Sequence, residues 1–274
     1  MRLIDTKLMF CAVIFFAGGF GVLLAWALRG GAREGRFMAW GDAFAGGVLA
    51  AAGLVHLLSA GVAGFHQLAP QLSYPWAFVL AGAGFLLILL IEGVIVADPD
   101  PNQSPLHSGS RGASHEIGSW AQMAAARPWI FVLLLVLSVH SLIEGLTLGA
   151  QNSIFGALIV FIAIMAHKAV AGFALGVSYR RSGYSFRRAA PVAAFFSCMT
   201  PLGILAGTAV AALISPHGRL FFQATFDSIG AGTFLYIATL DIIRTEFELP
   251  GDRWQKWLLA SAGFALMSLL ALWI

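Results

Sequence analysis

Trp129-Ile130-Phe131-Val132-Leu133-Leu134-Leu135-Val136-Leu137-Ser138-Val139-His140-Ser141-Leu142-Ile143-Glu144-Gly145-Leu146-Thr147-Leu148-Gly149-Ala150 is an apolar run broken by one imidazole and one carboxylate. At a rise of about 1.5 Å per residue, a helix of this length crosses the roughly 30 Å hydrocarbon layer of a bilayer. In a soluble protein the same run would be a core helix, and the rest of the chain would have to cover it with charge. The rest does the opposite. Of the 274 residues, 59% are hydrophobic and 11% charged, and mean hydropathy is +0.84. A soluble domain carries roughly 25% charged residues. So much apolar surface is stable when it faces lipid.

Outward from this stretch, similar runs lie near 8–28, 40–61, 75–96, 154–178, 189–213, 222–243 and 254–273, which with 129–150 makes eight spans. Lipid offers no partner to a backbone N–H or C=O, so each run crosses as a helix. The fold class that follows is an all-α polytopic membrane protein, one transmembrane domain over 1–274. Trp26, Trp40, Trp76, Trp129, Trp254 and Trp273 fall near span ends, where an interfacial belt places them. Arg2, Lys7 and Ala25-Trp26-Ala27 imitate a cleaved secretory signal, but the apolar run from Leu8 to Leu28 is long for one and reads as a retained span.

Cationic residues set the orientation. Of the 16 Lys and Arg, Lys168 lies inside a span, and Arg2, Lys7 and Arg219 lie on one side. All others, Arg29 to Arg36, Arg111, Arg127, Arg180 to Arg188 and Arg244 to Lys256, lie on the opposite side. The positive-inside rule makes that side cytoplasmic and puts both termini outside. Residues 97–127, rich in Pro, Ser and Gly and carrying His107 and His115, read as a flexible cytoplasmic loop. The net charge of +3 forms no continuous basic stripe, so nucleic acid is not a partner; the lipid bilayer is. Cys11 and Cys198 sit inside spans and imply no disulfide framework.

A charge at membrane depth costs roughly 2.5–3.5 kcal/mol on insertion scales and therefore needs a reason. His140 and Glu144 are four apart and share a helix face. His167 and Lys168 lie near the middle of the next span, and the short link Gln151-Asn152-Ser153 makes the two helices antiparallel neighbours. Two imidazoles and a carboxylate form a borderline ligand set, suited to Zn²⁺ and also to Fe²⁺, Mn²⁺, Co²⁺ or Cd²⁺. Ser141, Thr200 or water could complete the shell. The competing reading is a structural Glu144–Lys168 ion pair with both histidines hydrogen-bonded across helices. His56, toward the outer end of span two, is a candidate entrance ligand or an interfacial histidine. Asp241, at the inner end of span seven, is a candidate exit ligand or a hydrated carboxylate. Glu92, Asp42 and Asp227 read as interfacial. Gly172 and Gly176 permit close helix approach, and Pro201 predicts an irregular turn in span six.

These residues resemble the ZIP (Zrt-, Irt-like) family of divalent metal transporters. The resemblance rests on Phe44-Ala45-Gly46-Gly47-Val48 with His56-Leu57-Leu58, on His140-Ser141-Leu142-Ile143-Glu144-Gly145, and on His167-Lys168. It continues through Ser197-Cys198-Met199-Thr200-Pro201-Leu202-Gly203 and Gly232-Thr233-Phe234-Leu235-Tyr236. The pattern is similar to the branch whose span five begins His-Lys. Members outside that branch hold two metals; here Lys168, Ala171 and Thr200 replace second-site carboxylates. The resemblance therefore implies one transport site of His140, Glu144 and His167, with Lys168 standing in for a second metal. It also implies import toward the cytoplasm, a bundle of spans one, four, five and six moving against the other four, and a homodimer. Where the family usually has Pro-Asp after the span-two His-Leu-Leu, this chain has Ser59-Ala60.

The function expected is thus transport of a divalent metal, zinc foremost, as substrate, with no resident cofactor. The chain would work in a plasma membrane or a bacterial inner membrane, without ATP, since no P-loop occurs. The alternative from another class is an intramembrane zinc-dependent hydrolase. It lacks the second histidine of an H-E-x-x-H helix and a spare carboxylate for acid–base work. A proton or cation channel built on Glu144 and Lys168 is a third reading.

Overall fold

A computed structural model describes residues 2–27, 32–71, 73–95, 128–210 and 215–272. The loop expected at 97–127, with His107 and His115, lies outside the described residues, as do Arg29 and Trp273.

The described residues form eight helical segments. They are α1 (Leu3–Ala27), α2 (residues 32–68), α3 (residues 76–95), α4 (Pro128–Gly149), α5 (Ile154–Arg181), α6 (Phe186–Val210), α7 (residues 216–248) and α8 (Arg253–Leu270). The first seven are long and apolar enough to cross a membrane. In α8 the first turn carries Arg253, Gln255 and Lys256, which lowers its hydropathy. Most segments outrun the apolar runs that announced them, because a helix continues past the hydrocarbon until a breaker or cap stops it. Ser153 and Ser215 cap α5 and α7 by accepting the N–H of Gly156 and Gly218.

Three segments are not plain α-helix. A π-helical turn interrupts α2 at Ala52–Leu57, ends α3 at Ile91–Ile95 and interrupts α7 at Ile237–Ile243. Each inserts an extra residue into the helical ladder and turns side chains off the α-helical register. By contrast α6 runs through both Pro191 and Pro201 as one helix.

Lipid tails give helices no hydrophobic reason to associate, so close backbone packing at small residues takes over. Gly145 and Gly149 of α4 lie against the backbone of Thr200 and Ile204 in α6; Gly203 and Gly207 of α6 return the contact to Leu142 and Leu146. Gly21 and Gly176 join α1 to α5 in the same way, Gly47 and Gly263 join α2 to α8, and Gly84 and Gly232 join α3 to α7. Gly61 of α2 meets Ser228 of α7. A Cβ at these positions would strike the partner helix. Gly18 of α1 faces both Lys168 of α5 and Ser197 of α6, so the pairs collect into two groups of four, α1/α4/α5/α6 and α2/α3/α7/α8.

Between the groups the contacts are of another kind. Gly41 of α2 faces the far edge of the Phe173 ring in α5, a side chain and not a backbone. The main apolar core fills this seam with residues of both groups, among them Val48, Leu49, Leu133, Leu137, Leu175 and Phe234.

Candidate metal centre

The ionisable cluster sits on the seam. On α4, His140 and Glu144 are one turn apart, and α5 brings His167 to the same carboxylate. Glu144 Oε1 lies 3.0 Å from His140 Nε2 and 2.8 Å from His167 Nε2. One donor atom from each residue falls within 4.8 Å of the others. All three side chains are buried.

Close as they are, these atoms are poorly served by one another. His140 Nε2, both Glu144 oxygens and both His167 nitrogens are buried with no hydrogen-bond partner of good geometry among the described residues. Leaving such groups unsatisfied costs about 1–3 kcal/mol each. A cation between them would take the lone pairs of all three at once, and this donor set fits a tetrahedral or looser divalent site.

Lys168, next to His167, turns elsewhere. Its ammonium donates to Ser141 Oγ at 2.8 Å and sits 3.8 Å above the centre of the Phe196 ring, while Ser141 donates to the Leu137 carbonyl at 2.6 Å. The charge is thereby held by a hydroxyl and an aromatic face. A Glu144–Lys168 salt bridge is not found among the described residues, so the ion-pair reading left open by the sequence does not describe this geometry. Ser141, a candidate ligand, is tied to Lys168 and to its own helix.

His56 is nearer the cluster than its sequence position implied. It lies on the π turn of α2, and its ring centre is 6.3 Å from that of His167. Phe234 of α7 closes the other flank, its ring 4.4 Å from the His140 imidazole and nearly edge-on. The sequence names Phe234 only within the motif Gly232–Tyr236 and gives it no role at the cluster; the signal for one is its place on the α7 face that carries Gly230 and Asp227. At the other end of the seam, Asp241 and Glu92 lie on the facing π turns of α7 and α3. The two carboxyls lie within electrostatic reach of one another, with Tyr236 beside Glu92. Glu92 was read as interfacial; it is instead the partner of Asp241.

Residues 96–271 match the family described as ZIP Zinc transporter. The chain is 31% identical to zinc transporter ZIP2 of Homo sapiens over 210 residues, 74% of this chain and 68% of that one. It is 31% identical to zinc transporter ZIP1 of Homo sapiens over 261 residues, 88% of this chain and 80% of the relative. The chain belongs to the ZIP family. As a ZIP protein it is an integral, multi-pass membrane transporter of divalent metal and not an enzyme, and the hydrolase alternative falls away. His140, Glu144 and His167 all lie within the matched residues, as do Phe234 and Asp241. It is also 31% identical to zinc transporter ZIP1 of Mus musculus over 244 residues, 82% of this chain and 75% of the relative.

Proposed function

We propose that this ZIP protein imports a divalent metal ion, zinc foremost, toward the cytoplasm through one intramembrane site made by His140, Glu144 and His167. The observation that carries the proposal is the convergence of two imidazole nitrogens on a single buried carboxylate oxygen, at 3.0 and 2.8 Å, with their hydrogen-bonding capacity unfilled. Zinc is the preferred substrate because borderline N/O ligands suit it and because the relatives are named zinc transporters.

The route runs along the seam. An ion meets His56 from the side that the loop cations mark as outer, passes into the cluster, and leaves toward the Glu92–Asp241 pair. What supports alternating access is how the two four-helix groups are joined: mostly backbone against backbone within each group, the Phe173 ring against Gly41 between them. The seam is the surface along which sliding breaks least, and the ligands ride on the α4/α5 side of it. In this mechanism Lys168 supplies, beside the cluster, the positive charge that a second metal would bring.

Radioactive zinc uptake into proteoliposomes tests the assignment. His140→Ala and His167→Ala are each expected to lower the uptake rate about tenfold or more, as loss of a metal ligand does. Uptake equal to wild type in both variants would reject the site.

A further inference from the structure

The cluster and His56 account for the middle of the route, but not for how a dilute, hydrated cation first enters it. The α7 face that touches the cluster offers an answer. From Phe234, against His140, the same helical stripe runs outward through Gly230 and Asp227 to Gln223, at steps of four, three and four residues. Asp227 is therefore about 10 Å outward of Phe234 along the axis. Gly230, between them, has a hydrogen in place of a side chain and meets only the tip of Leu57 there. Asp227 has Gln223 one turn outward on the same helix and lies within electrostatic reach of Glu144. On the facing helix, Gly61 packs on Ser228, the neighbour of Asp227, and Ala60 is one turn outward of His56.

We infer that Asp227 is an outer receiving site for the divalent cation, aimed from α7 at the mouth of the seam and handing the ion to His56 and then to the cluster. A single carboxylate holds a metal ion weakly and leaves most of its water in place. That suits a waiting position. Two negative groups along one channel also make the interval between them favourable for a divalent cation, and the low-dielectric walls concentrate the field. Ala60 and Asp227 border the same mouth from opposite helices, so a carboxylate on either should serve. The inference rests on the transport reading above.

The test is the initial rate of zinc uptake against free zinc for wild type, Asp227→Asn, Asp227→Glu and the double variant Asp227→Asn/Ala60→Asp. Asp227→Asn is expected to raise the half-saturating zinc concentration roughly three- to tenfold while leaving the maximal rate in place. Asp227→Glu and the double variant should return it toward wild type, and high salt should narrow the gap. An unchanged half-saturation in Asp227→Asn, a fall in maximal rate alone, or failure of both restoring variants would overturn the inference. Ala60→Asp alone, with Asp227 intact, should lower half-saturation, and a rise would count against it even if Asp227→Asn folds poorly. Failure of wild type to take up zinc, or indifference to loss of His140, would strike the transport reading instead.

Discussion

The two four-helix groups solve the same packing problem with different helices. In α1, α4, α5 and α6 every described turn is regular α-helix or a short capped end, and this group bears His140, Glu144, His167 and Lys168. In the other group α2, α3 and α7 each contain a π turn, and those turns carry His56, Glu92 and Asp241. The regular group holds the centre; the irregular group places one ionisable residue on its outer side and two on its inner side. The difference teaches that rigidity and irregularity are divided between the two. The ligand set stays intact if its helices move together, while the π turns present side chains to whatever slides past.

The most drastic way to break this comparison is to weld the seam. With Cys11 and Cys198 replaced by alanine, Gly41→Cys and Phe173→Cys joined by a short bifunctional maleimide should abolish zinc uptake, a fall of about tenfold or more. The same reagent across Phe10→Cys and Phe161→Cys should leave at least roughly half the uptake, since those stacked rings lie within one group. Equal loss in both would show that the groups are not the moving units.

A second contrast compares the glycines. Gly207→Val drives a side chain into the α4 backbone, an overpacking cost of about 3 kcal/mol. It should lower Tm in detergent by about 10 °C. Gly41→Ala meets a ring that can turn aside, and its Tm should fall by about 2 °C or less. Next comes Lys168→Glu, which removes the charge held by Ser141 and Phe196 and adds a carboxylate. Metal analysis of purified protein should then rise from about one to about two zinc ions per chain, as expected if the ammonium substitutes for a cation. The smallest effect concerns the regular group alone. Lys7 of α1 donates to the Gly149 carbonyl at the end of α4, at 2.6 Å and buried. Lys7→Met leaves that carbonyl less well satisfied, costing about 1–2 kcal/mol. Thermal unfolding should shift a few degrees while zinc uptake at 25 °C is unchanged.

Much of this architecture was written in the chain's apolar runs, because lipid forces each run into a helix and leaves few alternatives. The cluster was legible for a similar reason: His140 and Glu144 are one turn apart, and four residues join α4 to α5, so His167 had little freedom of depth. The pairing of helices was less legible. The short link suggested α5 as the neighbour of α4, yet the closest approach of α4 is to α6, through Gly145, Gly149, Gly203 and Gly207. The matching four-residue spacing was a signal that went unused. The π turns left no signal. Nothing in Ala52-Gly53-Leu54-Val55-His56-Leu57 distinguishes a π turn from an α turn, since the choice is made by packing against α7 and not by local propensity. The sequence therefore places His56 toward the outer end of its span but does not show how near its ring comes to that of His167, 6.3 Å.

A π turn is one residue too many for the ladder, and that has a consequence for the length of the gene. Excising Gly53 would let α2 close into unbroken α-helix, with no bond lost. The wide turn takes up the extra residue within itself, so everything outward would keep its face and draw inward by no more than about 1.5 Å. The imidazole would stay on the channel side but lose the wide turn that carries it. The protein could thus lose a codon and keep both its helix and its register, at the cost only of that local bulge.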